Sequence, residues 1–167
     1  IRTRSGRTWG EKGHPPEIQV SMSRGGYNVL SVVTPQGVMN YSVTEKSINS
    51  ERYIQFFKQL LKGRQRPLIL VVDRASFHCS KEVREFVRAH RHQLRIFYLP
   101  KGSPDLNPDE QVWNDIKNNK IGKQPVKNKN DLHKRLHSAL RSLQHHAERI
   151  RSFFQLPSTN YASANVC

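Results

Sequence analysis

The 167-residue chain carries 28 Lys and Arg against 13 Asp and Glu, a net charge of +15, and 35% hydrophobic residues. That balance points to a polyanionic partner, nucleic acid ahead of an acidic membrane surface. The length suits one domain, and no apolar run approaches the roughly 18 residues of a membrane span. Residues 1–17 are rich in Gly and Pro and read as a loop, with a short strand around Thr8-Trp9. Ile18 to Met22 alternates apolar and polar as a half-buried strand does. Arg24-Gly25-Gly26 reads as a turn and Tyr27 to Val33 as a stronger strand. Thr34-Pro35-Gln36-Gly37 is a tight-turn sequence, so Val38 to Val43 is expected to return as the second strand of a hairpin.

The period then changes. From Ser50, apolar residues fall at Tyr53, Ile54, Phe57, Leu60 and Leu61, the stripe of an amphipathic helix that Gly63 stops. Pro67 to Val72 is a continuous apolar run, the pattern of a strand covered on both faces. Ser80 caps a second helix with Val83, Phe86, Val87 and Ala89 inward. Leu94 to Leu99 is another strand. Asn107-Pro108 opens a third helix running to about Asn118, residues 119–130 form a Lys/Asn-rich linker, and a fourth helix spans about Asp131 to Phe154. Residues 156–167 read as a flexible tail. A hairpin followed by alternating strands and helices predicts an α/β fold, a mixed sheet with helices on both faces. Ligands of such sheets sit at the carboxyl ends of the strands. Cys79 and Cys167 are too few for a disulfide framework or a thiolate zinc site. No signal peptide is visible, so a cytoplasmic location is expected.

Two acids stand out. Asp73 ends the apolar strand, and Glu110 lies in the first turn of the third helix. Carboxylates placed that way can share divalent ions, and Mg²⁺ takes hard oxygen ligands together with water and phosphate. Each has a plainer reading. Asp73 can simply start a turn. Asn107, Pro108 and Glu110 form a helix start of capping-box type, in which acids favour the helix dipole. Asp109 is the rival to Glu110 as a ligand, and Asp105 suits a turn.

The residues that carry a family likeness are Val72-Asp73-Arg74-Ala75-Ser76-Phe77-His78, Leu99-Pro100, Ser103-Pro104-Asp105-Leu106-Asn107-Pro108-Asp109-Glu110, Val112-Trp113 and Lys117. With Gly6-Arg7-Thr8-Trp9-Gly10, Gly13 and Pro15, they resemble the catalytic domain of bacterial insertion-sequence transposases of the DDE superfamily, in the Tc/mariner-related branch. The likeness covers about residues 1–155, taken as a partial catalytic domain. It implies a ribonuclease H-like fold. It also implies a site of three carboxylates holding two Mg²⁺ or Mn²⁺ ions, with Asp73 and Glu110 as catalytic and metal-binding residues. The implied work is DNA cleavage and strand transfer, in transposition and integration. The implied partners are transposon-end and target DNA, with a homodimer as the candidate assembly and neither a membrane nor a small-molecule substrate. The implied place is the bacterial nucleoid.

The chain departs from the family pattern. The first Asp, expected on the central strand just ahead of Ile1, has no counterpart, so this chain alone is expected to be inactive. Arg74 stands where Asn is usual, Asp109 where an apolar residue is usual, and the amino-terminal DNA-binding helices have no match. A catalytically inactive DNA-binding remnant is therefore the alternative reading, and a basic RNA-binding protein a third. His78 suits either orienting water or phosphate or a structural hydrogen bond. His133 and His137, at i and i+4, lack the Glu of a zinc protease helix and read as part of a basic face. Trp113 could stack on a base, but at helical spacing it reads as core.

Overall fold

The structure, a computed structural model, describes residues 26–121 and 126–163. The expected strands at Thr8-Trp9 and Ile18–Met22 lie outside the described residues. The hairpin forms as its turn chemistry requires. Strand β1 (Asn28–Val33) pairs antiparallel with β2 (Met39–Thr44), Asn28 opposite Thr44 and Val33 opposite Met39. Gly37 takes φ +90° in the turn, and an added Cβ would lie 2.7 Å from the Ala147 carbonyl oxygen. Both the left-handed backbone and the close approach therefore need glycine.

Helix α1 (Ser50–Leu61) is capped by Asn49, whose side chain accepts from the Arg52 N–H. Strand β3 (Leu68–Val72) leads through the 3₁₀ turn Ser76–Cys79 into helix α2 (Lys81–Ala89), which Ser80 caps by accepting from the Val83 N–H. Of the residues expected inward on α2, Val83 is buried and Phe86 and Val87 are half-buried, but Ala89 at the last turn is exposed. Strand β4 (Leu94–Tyr98) pairs parallel with β3. Helix α3 (Pro108–Asp115) continues into a π-helical turn, Ile116–Ile121.

The expected single helix from Asp131 to Phe154 is instead two, α4 (Lys129–Gln144) and α5 (Ala147–Ser152). At the break, His146 Nδ1 lies at the Ser142 carbonyl oxygen while its N–H turns to Leu143 O. A side chain that occupies the carbonyl four residues back competes with the helix for it. Residues 156–163, which read as a tail, include a 3₁₀ turn at Asn160–Ala162. Thr159 is fully buried there and donates to Phe153 O, and Tyr161 OH donates to Leu106 O.

Two apolar clusters meet at β1. Tyr27, Met39, Val112, Ile116, Leu136, Leu140, Ile150 and Phe153 belong to one, with Val29 and Val33 of β1 against it. Tyr53, Phe57, Leu70, Val83 and Leu94 belong to the other, with Leu30 and Val32 of β1 against it. The period of two along β1 thus sends alternate residues to opposite helical layers. Helices lie on both faces, as predicted, but the strands do not form one sheet among the described residues. They form two pairs, β1–β2 and β3–β4.

The expectation that β3 is covered on both faces also fails. Leu68 and Leu70 face α1 and α2, while Ile69 and Val71 are 61% and 45% exposed. The reason lies in the packing: α3, α4 and α5 spend their apolar faces on the hairpin, and no described helix reaches the second face of β3.

Candidate active site

Asp73 is placed by the sharp turn that ends β3. Its Oδ1 accepts from the Ala75 N–H at 3.0 Å and lies 2.9 Å from His78 Nδ1. The same Nδ1 is 2.9 Å from the Asp73 carbonyl oxygen. His78 is thus tied into the turn, stacked on Tyr53 with centroids 4.6 Å apart, and its own carbonyl accepts from Tyr98 OH. One carboxylate oxygen of Asp73 holds the turn, and the other makes no hydrogen bond among the described residues. Arg74 turns away, its Nε donating to Leu99 O and its guanidinium lying 5.8 Å from the Tyr98 ring centre.

Glu110 is placed by the start of α3. Asn107 caps the helix by accepting from the Asp109 N–H at 3.1 Å, and Pro108 fills the first helical position. A capping box would bring the Glu110 carboxylate back to the Asn107 N–H. That N–H goes to Pro104 O instead, so the sequence signature is present without its reciprocal bond. Asp105 lies within the 3₁₀ turn Pro104–Leu106, and its side chain makes no hydrogen bond to that turn among the described residues. Backbone bonds from Leu106 to Ser103 and from Asn107 to Pro104 hold it.

Asp73 and Glu110 line the same cavity, together with His78 and Asp109. Val29 to Val33 and Leu68 to Val72 also line it, every residue in each run. Side chains alternate across a strand, so a cavity touching consecutive residues of both strands lies along their edges. It is a slot between β1 and β3, each of which pairs on its other side only among the described residues. The donor set is one of hard oxygens, which fits Mg²⁺ or Mn²⁺ completed by water and phosphate. No group of three or more His, Cys, Asp or Glu is positioned to hold a metal among the described residues. Both carboxylates line the cavity, and a metal held there would need further ligands. The His133 and His137 rings lie tilted with centroids 4.3 Å apart beside Tyr27, remote in sequence from both acids.

Asp109, the rival ligand, has its oxygens occupied. Ser31 Oγ lies 2.8 and 2.7 Å from them, and Trp113 Nε1 donates to Oδ2 at 2.9 Å. The carboxylate therefore clamps the start of α3 to β1 and orients the turn that carries Glu110. Ser31 was not legible as a partner. The available signal was a pair of anomalies, a small polar residue inside an apolar strand and an acid where the family has an apolar residue. Trp113, half-buried against the core as expected, has the further task of this hydrogen bond.

Burial pushes the Asp109 carboxyl up to about 6; the Ser31 and Trp113 hydrogen bonds pull it down, and the charges of Glu110 and Asp73 push it up further. The folded state then holds a proton that the unfolded chain releases near the ordinary value of 3.8. Stability from this group is present below about pH 4 and is lost as pH rises to about 6. The loss is on the order of 3 kcal/mol at 1.36 kcal/mol per pKa unit. Asp109→Asn should remove that loss, measured by urea unfolding of both proteins from pH 4 to 7. Parallel curves would contradict the assignment.

The fold has counterparts among known proteins. No protein of curated function matches the chain. Among solved structures, the catalytic domain of Mos1 mariner transposase superposes with a TM-score of 0.55 at 16% identity, over 83% of this chain and 81% of that one. The Mos1 mariner paired-end complex with Mn gives a TM-score of 0.58 at 16% identity, over 91% of this chain and 51% of that one. The Mos1 strand transfer complex gives 0.57 at 18% identity, over 91% and 50%. The chain thus spans about half of the longer transposase chains, and the likeness establishes the ribonuclease H-like fold. The family model described as DDE superfamily endonuclease matches residues 1–133, and by that match the chain belongs to the DDE superfamily endonucleases.

Proposed function

We propose that the chain is the catalytic core of a DNA transposase, cutting DNA strands and joining them to a target with the help of Mg²⁺ or Mn²⁺. The observation that carries this reading is the convergence of Asp73 and Glu110 on one cavity from a strand end and a helix start far apart in sequence. A bound ion pair would neutralise charge on the attacking and leaving oxygens of the phosphodiester. Asp73 would offer its free oxygen to that site, with its other oxygen fixed by Ala75 and His78. Glu110 would face it from the first turn of α3, where the clamp of Asp109 to Ser31 and Trp113 sets its position.

The third carboxylate belongs, in this reading, to a strand seated in the slot between β1 and β3. Such a strand would join the two sheets into one and bring its own acid beside Asp73. The net charge of +15 supports DNA as the polyanion. The test is Mg²⁺-dependent nicking of a DNA duplex by a chain extended ahead of Ile1 through a strand ending in Asp. Nicking that disappears in Asp73→Asn is the expected result. DNA binding without any nicking would overturn the reading in favour of a non-catalytic DNA-binding protein.

A further inference from the structure

The acids of this protein are unevenly spent. In the half built by α4 and α5, Arg135 pairs with Asp131, Arg149 with Asp115 and Arg151 with Glu148. On α2 and β4 the arginines have no such partners. Arg84, Arg88, Arg91 and Arg95 are all exposed, and none makes an ion pair with a carboxylate among the described residues. The acids of α2 are engaged elsewhere: Glu85 lies 3.9 Å from Lys81, and Glu82 is held at the helix start beside Ser80.

These arginines are in line. Arg84 and Arg88, at i and i+4, share one side of α2, and Arg91 follows in the turn after the helix ends at Ala89. A surface groove between that helix and β4 is lined by Arg88, Arg91, Arg95 and the ring of Phe97, which is 55% exposed. Among the described residues β4 pairs only with β3, and its outer edge borders the groove. At the other end, Arg84 and Arg74 both lie near Tyr98, whose hydroxyl feels their charges. Arg74 directly follows Asp73. The row therefore starts beside the paired-acid cavity and leads away from it along the sheet edge.

We propose that this row is a track for the sugar–phosphate backbone of DNA entering or leaving the paired-acid site, an inference that rests on the DNA-cleaving reading above. Four residues at 1.5 Å each separate Arg84 from Arg88 by about 6 Å along α2, a span that covers about two phosphate charges of one strand at about 3.4 Å each along the DNA axis. Guanidinium groups suit this work because they give planar, paired hydrogen bonds to phosphate oxygens. Unpaired arginines have no internal ion pair to break before binding.

The experiment measures the salt dependence of binding to a generic DNA duplex in EDTA, by fluorescence anisotropy, between 50 and 200 mM salt. Three proteins are compared with the parent chain: Arg84, Arg88, Arg91 and Arg95 all changed to Gln; the same four changed to Lys; and Lys46, Lys58, Lys62 and Arg66 changed to Gln. Each arginine that neutralises one phosphate contributes about 0.9 to the slope of log affinity against log salt. The Gln track variant should therefore lose about 3 to 4 in slope. The Lys variant should keep most of it, and the variant with the same charge removed elsewhere should lose less than about 1. An unchanged slope in the Gln track variant would overturn the proposal, as would an equal loss in the off-track variant. A track variant that loses as much affinity for RNA or for anionic vesicles as for DNA would also overturn it. Because metal is absent, failure of the metal-site reading leaves this slope unaffected. Mn²⁺ binding should in turn be unchanged by the track substitutions.

Discussion

Asp73→Asn is expected to weaken Mn²⁺ binding by at least about 10–100-fold, the loss typical of removing even an outer-sphere partner of a metal ligand, and to leave the fold intact. The two effects separate because of how the side chain is held. The amide oxygen of Asn can still accept from the Ala75 N–H, which Asp73 Oδ1 does at 3.0 Å, and can still meet His78. The turn after β3 therefore keeps its bonds. What disappears is the negative charge and the second oxygen, which are what a hard divalent ion requires. Titration calorimetry measures the affinity, and thermal unfolding checks the fold. Asp105→Asn, on an exposed acid two residues before the α3 cap, serves as a control and should change neither. A variant that binds Mn²⁺ as the parent does, or that unfolds many degrees lower, would count against this account of Asp73.

The second large effect concerns stability. A chain carrying an added strand that ends in Asp ahead of Ile1 should unfold at a temperature higher by roughly 10–20 °C. The slot runs along the edges of both β1 and β3, so a strand there would pair on both sides at once. Unsatisfied backbone groups removed from water cost about 1–3 kcal/mol each. Satisfying even two or three of them, and burying part of the slot wall, is worth about 5 kcal/mol. For a domain of this size each kcal/mol moves the midpoint by roughly 2–4 °C. The exposed faces of Ile69, Val71 and Phe97 also mark β3 and β4 as prone to edge association. The extended chain should remain monomeric at concentrations where the shorter chain associates, if the slot is where the strand docks. Equal unfolding temperatures for the two chains would remove the slot as its seat.

Much of this was legible in the residues, and what was not has identifiable causes. The hairpin was readable because Pro35 and Gly37 announce its turn, and α1 because its apolar stripe keeps one period throughout. The caps at Ser80 and Asn107 hold as sequence chemistry says they should. Asp73 and Glu110 could be picked out because a strand end and a helix start are fixed by local signals. That both line one cavity shows only in three dimensions. The failures are tertiary. A continuous apolar run such as Leu68–Val72 says that both faces could be buried, not that a partner arrives to bury them. The break between α4 and α5 turns on one histidine side chain taking a carbonyl that a regular helix would use. The capping-box pattern at Asn107–Glu110 was satisfied in letters while its reciprocal bond went to Pro104. The Ser31–Asp109–Trp113 cluster was out of reach because its three members lie in two elements, β1 and α3, whose mutual position no local pattern encodes.

The central claim is that Asp73 and Glu110 serve one metal site. Paramagnetic broadening by Mn²⁺ tests it most directly, because it works at weak affinity and reports position. In the parent protein, substoichiometric Mn²⁺ should broaden the Ala75 amide beside Asp73 and the Trp113 indole N–H beside Asp109 together, at the same ion concentration. Asp73→Asn should abolish both effects, and so should Glu110→Gln. Broadening near Ala75 that survives Glu110→Gln, with broadening near Trp113 that survives Asp73→Asn, would mean two independent sites and would contradict the account.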